Sequence, residues 1–171
     1  LHHFGESLLH PEFDRFIQYA VKKDVVTCLS VNPMMLTQDV SLALLQSKPH
    51  ILYISLDGHD DASFQKIRGV KNAYQRSLDN LNCFLKLKRN SGSDCHIVLS
   101  MIDFNLNQQS IEQTRSRWES VPGVDQFLMK SFSTWDGDAA DINSLEGDHN
   151  KMPLLKSGRI ECNFPWERMT V

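Results

Sequence analysis

Hydrophobic and polar positions along the chain alternate between helix-like and strand-like spacing. Five apolar side chains share one face of a helix predicted over residues 12–23: Phe13, Phe16, Ile17, Ala20 and Val21. The run from Val25 to Val31 is rich in β-branched residues and predicts a strand. The nearly continuous apolar run from His50 to Leu56 is typical of a strand that is covered on both faces.

The same alternation continues to residue 130. Thr37 is predicted to cap the next helix, and residues 70–88 are predicted to form the longest one. A strand over 95–102, a helix over 108–119 and a strand over 126–130 complete the series. Repeated strand–helix units of this kind predict an α/β fold with a parallel sheet and right-handed crossovers.

The composition is that of one globular domain and narrows the set of partners. The 171 residues are 41% hydrophobic and 23% charged, and their net charge of −3 gives no electrostatic basis for binding nucleic acid. No run reaches the roughly 18 apolar residues that a membrane helix needs, so we expect no membrane partner. Cys28, Cys83 and Cys95 lie in apolar periodic runs, which indicates buried thiols in a reducing compartment and a cytoplasmic location.

Polar residues gather where each predicted strand ends. They are Gly5 with Glu6, Ser30 with Asn32, Ser55 with Asp57, Asp103 with Asn105, and Lys130 with Ser131. Ligands bind at the carboxyl ends of parallel strands, so these residues are candidates for one pocket. The alternative for any single residue is an ordinary polar loop. No Gly-rich phosphate loop opens a predicted helix, so the dinucleotide fingerprint and the Walker loop are both absent.

The order of three motifs resembles the radical S-adenosylmethionine (SAM) superfamily. They are GESLLHPEF from residue 5, SVN from residue 30, and ISLDG from residue 54 with IRG from residue 67. The resemblance implies a partial (β/α)6 barrel like a TIM barrel, with SAM and a [4Fe-4S] cluster in its mouth. Residues 1–133 would form this barrel from the end of its second strand onward.

The resemblance also implies which residues contact SAM. Gly5 and Glu6 match the Gly-Gly-Glu motif that contacts the amino group of SAM, although Phe4 replaces the first glycine. Ser30 and Asn32 match a stretch whose polar groups face SAM. An ammonium group held out of water is stabilised by a carboxylate, which gives Glu6 a physical reason for this role.

Ser55 and Arg68 resemble the pair that holds the methionine carboxylate of SAM. Arginine suits a bidentate contact with a carboxylate. The alternative for Arg68 is a surface arginine, and the alternative for Glu6 is a carboxylate that complements a helix N-terminus. Asp57 is expected to shape the loop after the strand.

Residues 134–171 resemble the bridge to a SPASM/twitch extension and the beginning of that extension. Cys162 precedes Pro165-Trp166 as in the entry to such extensions, where the first cysteine helps to ligate an auxiliary [4Fe-4S] cluster. Trp135 lies in the predicted bridge. With Asp103, Asn105 and Lys130 it is a candidate for substrate contact.

The three-cysteine motif that holds the catalytic cluster of this superfamily, CxxxCxxC, does not occur in the chain. We therefore expect the chain to be part of a larger enzyme whose cluster ligands lie elsewhere. The implied reaction is reductive cleavage of SAM to a 5′-deoxyadenosyl radical, which abstracts hydrogen from a small-molecule or peptide substrate. Flavodoxin or ferredoxin would be the external electron donor. The alternative is a degenerate TIM-like binding module without a catalytic cluster.

Overall fold

The computed structural model describes residues 5–103 and 108–131. Its strands are β1 (Cys28–Val31), β2 (Ile51–Ser55), β3 (His96–Asp103) and β4 (Gln126–Ser131). Its helices are α1 (Phe13–Val21), α2 (Gln38–Gln46), α3 (Asp61–Arg68), α4 (Tyr74–Ser91) and α5 (Gln108–Glu119). Two single turns of 3-10 helix, Ser7–Leu9 and Pro33–Met35, precede α1 and α2. The predicted alternation of strands and helices is confirmed over the described residues.

The four strands form one parallel sheet in the order β1-β2-β3-β4. Successive strands are therefore neighbours, and right-handed crossovers between such strands bring the connecting helices to one face. The α/β class with a parallel sheet is confirmed. Closure of this sheet into a partial barrel stays a prediction.

The sheet has one helix-covered face and one face that we call the open face. The core joins helix residues such as Ile17, Leu44 and Phe84 to alternate strand residues such as Leu52 and Leu99. The described open-face residues, which all lie outside that core, are Cys28, Ser30, Ile51, Tyr53, Ser55, His96, Val98, Ser100, Ile102, Gln126, Leu128 and Lys130.

The longest helix begins later than the apolar pattern predicts. It starts at Tyr74 rather than at residue 70, because Asn72 adopts a left-handed backbone conformation with φ of 52° and interrupts the helix. The Asp61 carboxylate accepts a hydrogen bond from the Tyr74 backbone N–H at 3.0 Å and stabilises the new start. The prediction of a buried Cys83 is wrong, since this residue lies on an exposed position of α4.

An ion pair between a nearly buried lysine and a partly exposed aspartate fixes the far end of α4 to the sheet. Lys88 Nζ lies 2.8 Å from Asp125 Oδ2, and the same oxygen accepts the Ile97 backbone N–H at 2.7 Å. Desolvation acts to raise the pKa of Asp125, but the hydrogen bonds from Lys88 and Ile97 outweigh it and lower the pKa. This clamp lies at the amino ends of β3 and β4, opposite to the edge where the candidate site forms.

Candidate cofactor-binding site

The first half of the site is a turn that Gly5 and Glu6 form beside β1. Gly5 has a φ of 106°, which residues with a side chain rarely adopt. Glu6 Oε1 accepts the Leu8 backbone N–H at 3.1 Å and caps the first 3-10 turn. Glu6 Oε2 accepts the Asn32 backbone N–H at 2.8 Å. The helix-capping alternative for Glu6 is thus confirmed in part, and the same carboxylate also joins the turn to the end of β1.

Asn32 and the turn that follows it are fixed by hydrogen bonds from three elements. Its side-chain Oδ1 accepts the Met34 backbone N–H at 3.0 Å and caps the second 3-10 turn. The Asn80 side-chain amide, on α4, donates to the backbone carbonyls of Pro33 at 3.2 Å and Met34 at 3.1 Å. Together with the bond from Glu6, these contacts fix the backbone at the carboxyl end of β1. The carboxyl end of β1 is therefore a preorganised segment of backbone.

The second half of the site centres on Asp57, which follows β2 and is 2% exposed. Its Oδ2 accepts the Ser55 hydroxyl at 3.1 Å and lies 2.5 Å from the Arg68 guanidinium. Its Oδ1 accepts the Ile102 backbone N–H of β3 at 3.2 Å. One buried carboxylate thus joins β2, β3 and the end of α3, and it compensates the charge of Arg68.

The backbone around α3 explains why Arg68 reaches this point. Gly58 has a φ of 89°, and a Cβ there would lie 2.8 Å from the Phe64 backbone nitrogen. Only glycine allows so close an approach of the loop to α3. Asp60 and Ser63 form a capping box at the start of α3, and Gly69 ends the helix in a left-handed conformation. Arg68 is the last residue of this well-defined helix.

The other predicted site residues lie either on the strands of the sheet or outside the described residues. Ser30 lies on β1 and Lys130 on β4, both on the open face. Asp103 is the last residue of β3. Asn105, Trp135 and Cys162 lie outside the described residues. The extension over residues 134–171 and the auxiliary cluster therefore stay predictions.

Sequence reasoning missed the central position of Asp57. The sequence offers one signal for it, because a carboxylate two residues after a fully buried strand is placed to meet the next strand of a parallel sheet. The neighbouring acidic residues have structural partners, since Asp60 caps α3 and Asp61 caps α4. Within residues 5–103 and 108–131, no group of three or more potential ligands is arranged to hold a metal ion. No helix in these ranges is long and apolar enough to cross a membrane.

The fold has a solved relative. The chain is similar to a domain of a pyruvate-formate lyase-activating enzyme from Bacteroides vulgatus. The TM-score is 0.54 at 17% identity, over 82% of this chain and 84% of the other. At this identity the likeness shows the fold alone. No protein-family model and no curated protein matches the chain.

Proposed function

We propose that the edge formed by Glu6, Asn32, Ser55 and Arg68 binds SAM, and that the chain is part of a radical SAM enzyme. The observation that carries this proposal is that two opposite charges are fixed beside neighbouring strands. The Glu6 carboxylate is bonded to the end of β1 through Asn32, and the Arg68 guanidinium is bonded to Asp57 after β2. An amino acid carries an ammonium and a carboxylate on one carbon. Opposite charges at one sheet edge suit both groups of the methionine end of SAM.

The charges of the site favour the ammonium group in particular. Asp57 compensates Arg68, so the carboxylate of Glu6 has no cationic partner among the described contacts of the site. Each Glu6 oxygen accepts one backbone N–H and keeps a further lone pair. Glu6 is half-buried, and in such a position a charged hydrogen bond is stronger than in bulk water.

For the Ser55 hydroxyl, we propose a role that differs from the one that the resemblance implies. Its proton is directed to Asp57, so it is not free to donate to a ligand carboxylate while that bond holds. Arg68 bonds to Asp57 through one terminal nitrogen and keeps other N–H donors, and its side chain is 32% exposed. Arg68 is therefore the principal group for the methionine carboxylate in this proposal, and Ser55 helps to orient Asp57.

SAM with an iron–sulfur cluster supplies radical chemistry, and the protein positions the cofactor and excludes water. The residues of this edge hold the methionine end. In this proposal Ser30 and Asn32 contact the nucleoside end, and the cluster ligands are expected on a part of the enzyme outside this chain.

A titration of the isotope-labelled chain tests the proposal. Backbone amide shifts are followed during addition of SAM and, as a matched control ligand, of 5′-methylthioadenosine, which lacks the amino-acid end. We expect SAM to shift the amides of Glu6, Asn32 and Arg68, and the control ligand to leave Glu6 and Arg68 unchanged. Equal shifts with both ligands, or shifts at the opposite end of the sheet, would contradict the proposed site.

A second measurement separates the enzyme from a binding module. The full-length protein is reconstituted anaerobically with iron and sulfide, reduced, and incubated with SAM. Formation of 5′-deoxyadenosine supports the radical SAM enzyme. SAM binding without iron–sulfur absorption and without 5′-deoxyadenosine would support the non-catalytic module instead.

A further inference from the structure

Ser100 is a buried polar residue that the proposed site leaves unexplained. It lies in the middle of β3 on the open face, between Ser55 of β2 and Leu128 of β4. Its side chain is fully buried, and its hydroxyl is the one buried side-chain group of the described chain without a hydrogen-bond partner. A buried hydroxyl without a partner destabilises the folded chain, so a ligand that pairs with it is favoured.

The Lys130 side chain extends across the open face toward β2. Lys130 Nζ lies 6.0 Å from the centre of the Tyr53 ring, although β3 separates the two strands. Lys130 is level with Ile102 of β3, and Tyr53 is level with Val98. Ser100 lies halfway between Val98 and Ile102 along β3. The lysine side chain therefore extends from β4 across β3 on the face where Ser100 lies.

The Ser100 hydroxyl and the Lys130 ammonium can both donate a hydrogen bond to an acceptor. Lys130 forms no ion pair with any residue of the described ranges, and its side chain is exposed. The Tyr53 ring orients the ammonium without neutralising it. An ammonium and a hydroxyl on neighbouring strands of one sheet face suit an anion. Phosphate groups usually bind at a helix N-terminus or to several cations, whereas a single lysine with one hydroxyl matches the charge of one carboxylate.

The position of these donors connects them with the proposed SAM site. Ser100 is the direct strand neighbour of Ser55, whose hydroxyl bonds to Asp57. Asp57 in turn accepts the backbone N–H of Ile102, the β3 residue level with Lys130. A molecule held by Ser100 and Lys130 would therefore lie beside the methionine end of SAM.

We propose that Ser100 and Lys130 form a subsite that binds a carboxylate of the substrate on the open face. The proposal rests on the proposed function, because only that function makes the bound molecule a substrate. The subsite itself is defined by the two donors. Tyr53 is its positioning residue, since it acts through Lys130. The substrate class that fits is a small carboxylic acid or a peptide with a free carboxylate.

Binding of model carboxylates to the full chain tests the subsite. Benzoate and N-acetyl-glycylglycine represent the two sources, and benzamide and the peptide amide are their neutral controls. Dissociation constants come from backbone amide shifts at Ser100 and Lys130. We expect at least one carboxylate to bind about tenfold more tightly than its amide, which is the effect of one charge-assisted hydrogen bond. Preference for benzoate or for the peptide then identifies the source.

Four variants locate the effect. Lys130→Met keeps the aliphatic stem and should weaken carboxylate binding about tenfold, and Ser100→Ala should weaken it about threefold. Lys130→Arg should restore most of the affinity. Lys22→Met, which removes an exposed charge after α1, should leave it unchanged. Tighter binding of amides, an unchanged Lys130→Met variant, or no binding of either carboxylate would overturn the subsite.

SAM titrations of the same samples keep the two proposals separate. Glu6→Gln should weaken SAM and leave carboxylate binding intact. Carboxylate binding that depends on Lys130 in a chain that does not bind SAM would contradict the proposed function alone. The reverse result, SAM binding without a carboxylate preference, would contradict the subsite alone.

Discussion

At the scale of the residue, the site depends on two carboxylates with different surroundings. Asp57 is buried and uses both oxygens for contacts with Ser55, Arg68 and the Ile102 backbone. Glu6 is half-buried and bonds only to backbone N–H groups. A buried charge must be paired to persist, whereas a partly exposed one can wait for a ligand. This difference supports the proposal that Asp57 positions Arg68 and that Glu6 binds the ligand.

Replacing Asp57 by Asn tests the positioning role. The amide keeps the shape but loses the charge that compensates Arg68, so we expect the free energy of unfolding to fall by about 2–3 kcal/mol. Urea unfolding followed by circular dichroism measures the change. Asp39→Asn, an exposed acidic residue in the first turn of α2, is the matched control and should stay near the wild type. If the Asp57→Asn variant were as stable as that control, the charge of Asp57 would make no contribution to the free energy of unfolding.

The cysteines give a second prediction at this scale. Burial raises the pKa of Cys95 to about 12, so its thiol stays protonated and unreactive at neutral pH. Cys83 is exposed on α4. Brief alkylation with iodoacetamide at pH 8, followed by peptide mass mapping, should modify Cys83 and spare Cys95 until urea unfolds the chain. Equal labelling of the two in the folded protein would contradict the burial of Cys95.

At the scale of the element, the two ends of the sheet are stabilised in different ways. The edge at the carboxyl ends carries the candidate site, and the amino ends of β3 and β4 are clamped to α4 by Lys88 and Asp125. Asp125 has a lowered folded pKa, so its contribution to stability is present above its ordinary value of 3.8 and is lost as the pH falls through the folded pKa.

Asp125→Asn should therefore change how the free energy of unfolding depends on pH under acidic conditions. The wild type should lose unfolding free energy below about pH 4, while the variant starts lower and loses less there. Because 36% of the Asp125 side chain is exposed, water screens the pair and the difference at pH 7 should be on the order of 1 kcal/mol. Chemical unfolding at pH 3 to 7 measures both profiles. If the two profiles were parallel over that range, the Lys88–Asp125 ion pair would make no pH-dependent contribution to the unfolding free energy.

The sequence predicts the strands and helices because buried apolar residues recur with the period of each element. The fully buried Leu52 and Ile54 belong to the continuous apolar run that predicts β2, and α5 begins and ends where its pattern predicts. The start of α4 was misread because Asn72 and Asp61 act through backbone geometry and a cap 13 residues away. The link of Asp57 to Ile102 was equally hidden, since it joins residues 45 positions apart.

At the scale of the whole molecule, the described chain is a parallel sheet that presents one polar edge and one open face. The Glu6 and Asp57 contacts lie at that edge, and Ser100, Tyr53 and Lys130 lie on that face. The solved relative with a TM-score of 0.54 shares this fold. Fold and edge together support a cofactor at the strand ends and a substrate on the open face, which is the arrangement that we propose.

The central claim is that Glu6 binds the amino group of SAM. Equilibrium dialysis with radiolabelled SAM measures it directly for the wild type, for Glu6→Gln, and for Glu112→Gln, a control at an exposed position of α5. Loss of one charge-assisted hydrogen bond should raise the dissociation constant of Glu6→Gln about tenfold or more, with the control unchanged. No saturable binding of SAM to the wild type, or equal affinity in all three proteins, would contradict the account.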